Sequence, residues 1–411
     1  MTDFQKAAGD FDPLAPEFIA DPHKALHQLR DTAPLARSER WGGFWAATKR
    51  SDVVAIAKNH KRFVNSVTHI VPGGMAGKTR PLMHADQPEH TDFREAMLPV
   101  FNGPIGERIA PDIRAHAEKL VRGMVLKGTA DLERDFGGPL MAYALTRFYG
   151  MDDVAPEDLD RWLHQYVKGG QKRDEAMVAE AHAGLLKVAV GLVEDRTRNP
   201  RDPETDLTTA LLQARPHGMP LDHEKLIGAV RQPFVIVWLA TSHSLGNMLT
   251  RLVEDTTLQE TLRRNPELIA ESLEEFLRLD MPQLGFARTA DGDVEYGGKV
   301  IRDREPVALV FPAANRDPEV FESPDEFRIG RSPNPHLTFG AGIHSCPGKN
   351  IARAIVLAAL ESVITGTGGF SLRGEIEREH WPFRASRSIP VDIAATRTDS
   401  ETAEGLVTVI S

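Results

Sequence analysis

Residues 224–254 form the stretch that most limits what this 411-residue chain can fold into. As a helix it would rise on the order of 45 Å, at 1.5 Å per residue, enough to cross a whole domain. Its middle, Phe234-Val-Ile-Val-Trp-Leu-Ala-Thr241, is apolar nearly all round. A helix with no wet face belongs inside the protein. Pro233 is expected to kink it or to mark a break just before it.

The rest of the chain reads as helix with a minor β component. Helices are expected at 22–30 and 51–59, and a short strand at 43–47. From 104 to 248 the pattern is mainly helical, broken at 150–156, 199–203 and 215–220. Short strands follow at 293–296 and 306–310, then an irregular run to Phe339 and a helix from 349 to about 365. Asn265-Pro266-Glu267 looks like a helix start, with Asn as cap and Pro at the first helical position. In the helix that follows, Glu275 and Arg278 are three apart and share a face; such a pair is usually a solvated surface contact of small weight. With no repeat and no Gly/Ser linker, one continuous domain over 1–411 is the simplest reading.

Composition excludes several classes. A formal net charge of −10, with no basic tract to offset it, argues against a nucleic-acid partner. One cysteine, Cys346, excludes an intramolecular disulfide framework and any Cys-rich zinc site, and it fits a reducing compartment. The start, Met-Thr-Asp-Phe-Gln-Lys, lacks a secretory signal pattern. No run approaches the ~18 apolar residues of a spanning helix, 234–240 being the best and far too short. A cytoplasmic protein with no membrane partner is expected.

The cysteine lies in Phe339-Gly-Ala-Gly-Ile-His-Ser-Cys346-Pro-Gly-Lys-Asn-Ile-Ala-Arg353. Glycines at 340, 342 and 348 allow tight turning and close approach to a flat ligand. The helix that starts after Cys346 is expected to point its positive end at the sulfur, favouring thiolate over thiol. His344 is near enough in sequence to reach an anionic group on the same ligand. Three readings remain open on the residues alone: a small buried hydrophobe, a Cys-His hydrolase pair, or a thiolate ligand to a flat cofactor. The first does not need glycines on both sides. The second puts base and nucleophile only two residues apart, with no oxyanion device.

The segment resembles the haem-binding loop of the cytochrome P450 superfamily, Phe-Gly-x-Gly-x-His-x-Cys-x-Gly, at every fixed position. Glu275-Phe-Leu-Arg278 is similar to the family's Glu-x-x-Arg motif, which forms a buried network with a downstream Arg. Ala313-Ala-Asn-Arg-Asp-Pro318 and Pro324-Asp-Glu-Phe327 resemble the run leading to the cysteine loop. The resemblance spans roughly 15–395 and leaves an extra tail at about 394–411.

It implies a mainly α fold with small β-sheets, a triangular helical prism around a buried haem. It implies Cys346 as axial ligand to the iron of haem b, in a loop that includes Phe339, Gly340 and Gly348. His90 and Arg94 (from His-x-x-x-Arg), Arg288 and His344 would meet the propionates. The implied activity is a monooxygenase: one atom of O2 enters a small hydrophobic substrate, aromatic or terpenoid, by hydroxylation or O-dealkylation. Electrons would come from a ferredoxin or flavodoxin, with Lys349 and Arg353 either part of its docking face or ordinary solvated charge.

The central helix departs from the family. Leu239 or Ala240 stands where an acid is expected, and Thr241 is the candidate alcohol, displaced by one residue. Thr241 with water or a substrate group could replace the proton relay; a peroxide-driven reaction or other atypical chemistry is the alternative. A non-catalytic haem protein that binds a ligand is the reading from a different class. His243 receives no role. By family position the substrate pocket would be lined by 71–80, Trp238, Thr241, Leu284, Phe286 and Ser386, although Trp238 could equally point into the core.

Overall fold

The structure is a computed structural model and describes residues 11–68, 70, 71, 83–284, 286–379 and 382–396. In chain order it begins with α1 (Pro16–Ala20), α2 (Pro22–Thr32), β1 (Leu35–Ser38), β2 (Phe44–Ala47), α3 (Arg50–Lys58) and β3 (Phe63–Val64). The helical middle follows: α4 (Glu89–Asn102), α5 (Ile105–Lys127), β4 (Thr129–Asp131), a π-helical turn (Leu132–Gly137), α6 (Gly138–Tyr149), α7 (Pro156–Lys172), α8 (Glu175–Arg198), α9 (Leu207–Gln213) and α10 (His223–Glu254). Then come α11 (Thr256–Arg264), α12 (Glu267–Leu279), β5 (Phe286–Ala290), β6 (Val294–Tyr296), β7 (Lys299–Ile301), β8 (Pro306–Leu309) and α13 (Phe311–Ala314). The last elements are α14 (Lys349–Thr365), β9 (Gly369–Leu372), β10 (Glu377–Glu379), β11 (Ala385–Ser388) and β12 (Pro390–Ala394).

These elements form two compact units. The first comprises residues 1–94, 274–346 and 379–384. Its sheet has the order β1-β2-β8-β5-β3, with β2 and β8 parallel and the other pairs antiparallel. Successive side chains on a strand point to opposite faces. Phe44, Ala46, Ala287 and Ala308 therefore join one buried cluster, with Phe18, Leu26 and Leu284. Trp45, Ala47, Val307 and Leu309 join another, with Ile56, Phe63 and Phe311. Both faces are covered, so β2 (Phe-Trp-Ala-Ala) and β8 (Pro-Val-Ala-Leu) read as unbroken apolar runs rather than alternating ones.

The second unit comprises residues 95–273, 347–378 and 385–411, described as far as 396. Here α10 packs against α6, α8 and β11, and α14 lies along α5. The expected break at Pro233 does not occur: α10 is helical from His223 to Glu254, with Gln232, Pro233 and Phe234 all buried. One missing backbone donor is outweighed by that burial. Full burial of its middle is not reached either. Val235, Ile236, Val237, Leu239 and Ala240 are only half-buried.

Two further expectations change. By length and composition alone, α8 could cross a bilayer, a candidate that the reading of 234–240 passed over. It packs against α7 and α10 and buries Ala181, Leu185, Val188 and Leu192. Asn265 does not cap α12 with its side chain; its Nδ2 donates to the Thr261 carbonyl (2.9 Å) and so closes α11. The Thr261 carbonyl also accepts from the Asn265 backbone N–H (3.1 Å), so Asn265 closes α11 with both its amides, while the next helix already has Pro266 in place of one free N–H.

Candidate functional site

The Cys346 loop is a compact turn. The Cys346 N–H donates to the Phe339 carbonyl (2.8 Å), and Gly340 N–H to that of Leu337 (2.8 Å). Gly340 and Gly342 have φ of 71° and 73°, where a side chain is strained. At Gly342 an added Cβ would also lie 2.4 Å from the Ala57 carbonyl oxygen of α3. Gly348 is different: its φ of −82° suits any residue, so its backbone conformation does not call for glycine. The cysteine itself is half-buried.

Four basic side chains of the same unit gather near this loop. His90 and Arg94 lie one turn apart on α4, hence on one face. Arg94 Nη2 donates to the Ser345 carbonyl (2.7 Å), next to Cys346. The His90 and His344 rings are 4.2 Å apart. Arg288, 7% exposed on β5, donates Nη1 to the Ala287 carbonyl (2.8 Å). Burial, with Arg94 adding, lowers the His90 pKa to about 4. Burial, then the charge of Arg288, also holds His344 far below its usual value. Burial brings even Arg288 down to about 10, with Asp86 opposing. The charge of Cys346 partly offsets the same effect on Arg94. One buried guanidinium (Arg288), one half-buried guanidinium (Arg94) and two imidazoles kept neutral make a cradle for an anion.

Glu275 and Arg278 are not a surface pair. Both are about fully buried, joined by two hydrogen bonds of 2.8 and 2.7 Å. Arg278 also donates to the carbonyls of Asn315 and Pro324, and Glu275 accepts from Arg331 Nε (2.8 Å) and Asn334 Nδ2 (3.2 Å). Arg331 is the downstream arginine that the sequence left unnamed; Arg328, three residues earlier, was an equal candidate by type.

On α10, Thr241 is buried, 5% exposed. Trp238 resolves in favour of the core: its Nε1 donates to Asp160 Oδ1 (3.1 Å) and to the Gly138 carbonyl (3.2 Å), inside the helical unit. Around it lies a buried polar cluster that the sequence did not reveal. The Glu133 carboxyl, on the π-helical turn, is 2% exposed and its Oε2 has no hydrogen-bond partner. Burial pushes its pKa up to about 8, with Asp160 and Asp131 adding and His164 and Arg387 opposing. It is therefore neutral at pH 7. Burial would lower His164, but its hydrogen bond and charge pairing with Asp160 raise it overall. His243 is brought down to about 3 by burial, then by the charge of Arg387.

The other expected pocket residues have the following neighbours. Leu284 belongs to the buried cluster of Phe18 and Leu26, and Ser386 shares a 2.7 Å hydrogen bond between its hydroxyl and that of Thr250. Phe286, half-buried, packs edge-on to Phe311 at 6.3 Å. Of 71–80, residues 72–80 lie outside the described residues, as do 397–411 of the tail.

Comparison with known proteins places these features in one context. The Cytochrome P450 family pattern matches residues 159–366. The chain is 30% identical to mycinamicin IV hydroxylase/epoxidase of Micromonospora griseorubida, over 84% of this chain and 88% of that one. It is 26% identical to linalool 8-monooxygenase of Pseudomonas putida, over 87% and 91%. The solved structure of the bacillaene polyketide synthase cytochrome P450 PksS of Bacillus subtilis 168 superimposes with a TM-score of 0.83 at 26% identity, covering 93% of this chain and all of that one.

Proposed function

The chain belongs to the cytochrome P450 family, and from that premise we propose that it oxygenates a small hydrophobic aromatic or terpenoid substrate by hydroxylation or O-dealkylation. Membership makes it an oxidoreductase of the monooxygenase kind, mainly helical with small sheets, and implies a haem, O2 and a source of electrons. We assign the haem as haem b, the electron donor as a ferredoxin or flavodoxin, the location as cytoplasmic, and the working unit as one domain over 1–411.

The observation that carries the reading is the buried cationic cradle beside the cysteine loop. Among the groups that shift these four side chains, Asp86 is the one carboxylate, and it acts on His90 and Arg288. Two propionates would balance that charge. Bound haem supplies activation of O2, with one atom going to substrate and the other to water. Cys346 would ligate the iron as thiolate, within the turn formed by Phe339, Gly340 and Gly348. Glu275 and Arg278, with Arg331, brace the segment that leads into this turn. Thr241 would hold water or a substrate hydroxyl and pass a proton. The half-buried apolar residues of α10 suit a hydrophobic substrate, and linalool 8-monooxygenase among the relatives favours the terpenoid choice. Exposed Lys349 and half-buried Arg353 on α14 would help to dock an acidic electron donor.

A second reading keeps one specific support: Leu239 or Ala240 stands where the family motif leads one to expect an acid. A peroxide-driven reaction needs less proton delivery. Purified protein should give the red-shifted Soret band of the reduced carbon monoxide adduct, and Cys346→Ser should abolish it. Product formed with ferredoxin or flavodoxin and a reductase favours the first reading; product formed only with hydrogen peroxide favours the second. No product with either, across a panel of bound hydrophobes, would leave a ligand-binding protein.

A further inference from the structure

Asn65 lies just after β3 and is 6% exposed, in the same unit as the cysteine loop. Its backbone N–H donates to Asp86 Oδ1 (2.8 Å), and its side-chain Nδ2 donates to the Met83 carbonyl (2.7 Å). That second contact determines which way the amide faces. Turned over, it would set two oxygens 2.7 Å apart with no hydrogen between them. The same Nδ2 lies 3.3 Å from His344 Nδ1. One N–H of the amide is engaged by Met83, so the other meets the imidazole. Only a nitrogen with a lone pair can accept it. Among the described residues Asn65 Oδ1 has no hydrogen-bond partner, so the contact with Met83 is what fixes the orientation.

We propose that Asn65 is a positioning residue for the cofactor, holding His344 as the neutral tautomer with its proton on Nε2, ready to donate to a haem carboxylate. The proposal rests on the haem reading above. Its physical content is the direction of one hydrogen bond. A ring nitrogen with a lone pair repels a carboxylate, whereas an N–H binds it. Arg94 and Arg288 bring full charges to the cradle; His344 would add a donor without adding charge beside the thiolate. Sequence could not point to Asn65, which lies 279 residues from His344.

The test is nitrogen NMR of the haem-loaded protein labelled with 15N in its histidine rings, in the diamagnetic reduced carbon monoxide form. His344 is assigned by the signals lost in His344→Phe. The expected result is a protonated Nε2 and an unprotonated Nδ1; a proton on Nδ1 overturns the proposal. Asn65→Asp offers only an acceptor, so the proton should move to Nδ1. Haem transfer to excess apomyoglobin should then speed up by about tenfold or more, the effect of losing one hydrogen bond to a charged group. Asn65→Leu, which offers neither, should give both tautomers and an intermediate rate. An unchanged tautomer in these variants overturns the proposal; if Asn65→Asp does not accumulate, the wild-type and Asn65→Leu spectra decide. Failure of the haem reading is separable, since it shows in the absorption spectrum of the wild type as a missing thiolate band.

Discussion

Replacing Glu133 by Gln removes a buried acid while keeping its shape, and the consequence depends on pH. In the unfolded chain this carboxyl ionises above its ordinary 4.5, whereas in the fold burial keeps it protonated up to about 8. Between those values the folded protein binds one more proton than the unfolded one, so its stability falls as pH rises. The slope is about 1.4 kcal/mol per pH unit, or roughly 5 kcal/mol across the whole window. The Gln variant has no proton to lose, so this contribution vanishes. Both side chains leave the Oε2 position without a protein acceptor or donor, and that penalty largely cancels in the comparison. Urea unfolding of wild type and variant in parallel should therefore show a stability difference that grows in favour of the variant, by about 2–3 kcal/mol from about pH 6 to about pH 8. Infrared spectroscopy gives a direct check: the protonated-carboxyl stretch of Glu133 should be present at neutral pH and absent in the variant. A pH-independent difference between the two proteins, or no such band, would refute the assignment of a neutral buried acid.

Arg278→Ala takes two hydrogen bonds from the buried Glu275 carboxylate and leaves it with Arg331 and Asn334; the cost should approach the about 3–5 kcal/mol of a broken buried pair without exceeding it, and haem-loaded protein should fail to accumulate, as read from the ratio of Soret to protein absorbance. Normal haem incorporation would show that the network is dispensable. Gly342→Ala combines a positive φ with a Cβ 2.4 Å from the Ala57 carbonyl and should destabilise by about 2 kcal/mol or more. Gly348→Ala, at an ordinary φ, should stay within about 0.5 kcal/mol of wild type in the same urea titration.

How much was readable in advance follows from the range over which each signal acts. Helix α14 runs from Lys349 to Thr365 as the pattern predicts, and α10 starts one residue before the expected position. Periodicity and termination signals act within a turn or two, so they are carried by the sequence itself. The cysteine loop is local in the same sense, since spacing alone brings Phe339 and Cys346 into one turn. The unbroken passage through Pro233 was not local, because it depends on the neighbours that bury it.

The site divides along the same line. Sequence alone singled out Cys346, the His90–Arg94 pair and Glu275 with Arg278 as candidates, because each rests on neighbours within one turn or one motif. It could not determine the direction of Trp238, whose indole bonds to Asp160 across 78 residues. Nor could it choose Arg331 as partner of Glu275, or place Asn65 against His344 and Glu133 close to Gly246. Those contacts exist because packing brings distant segments together, and the burial that results shifts their proton affinities. A side chain's identity is local; its dielectric surroundings and its partners are properties of the folded whole.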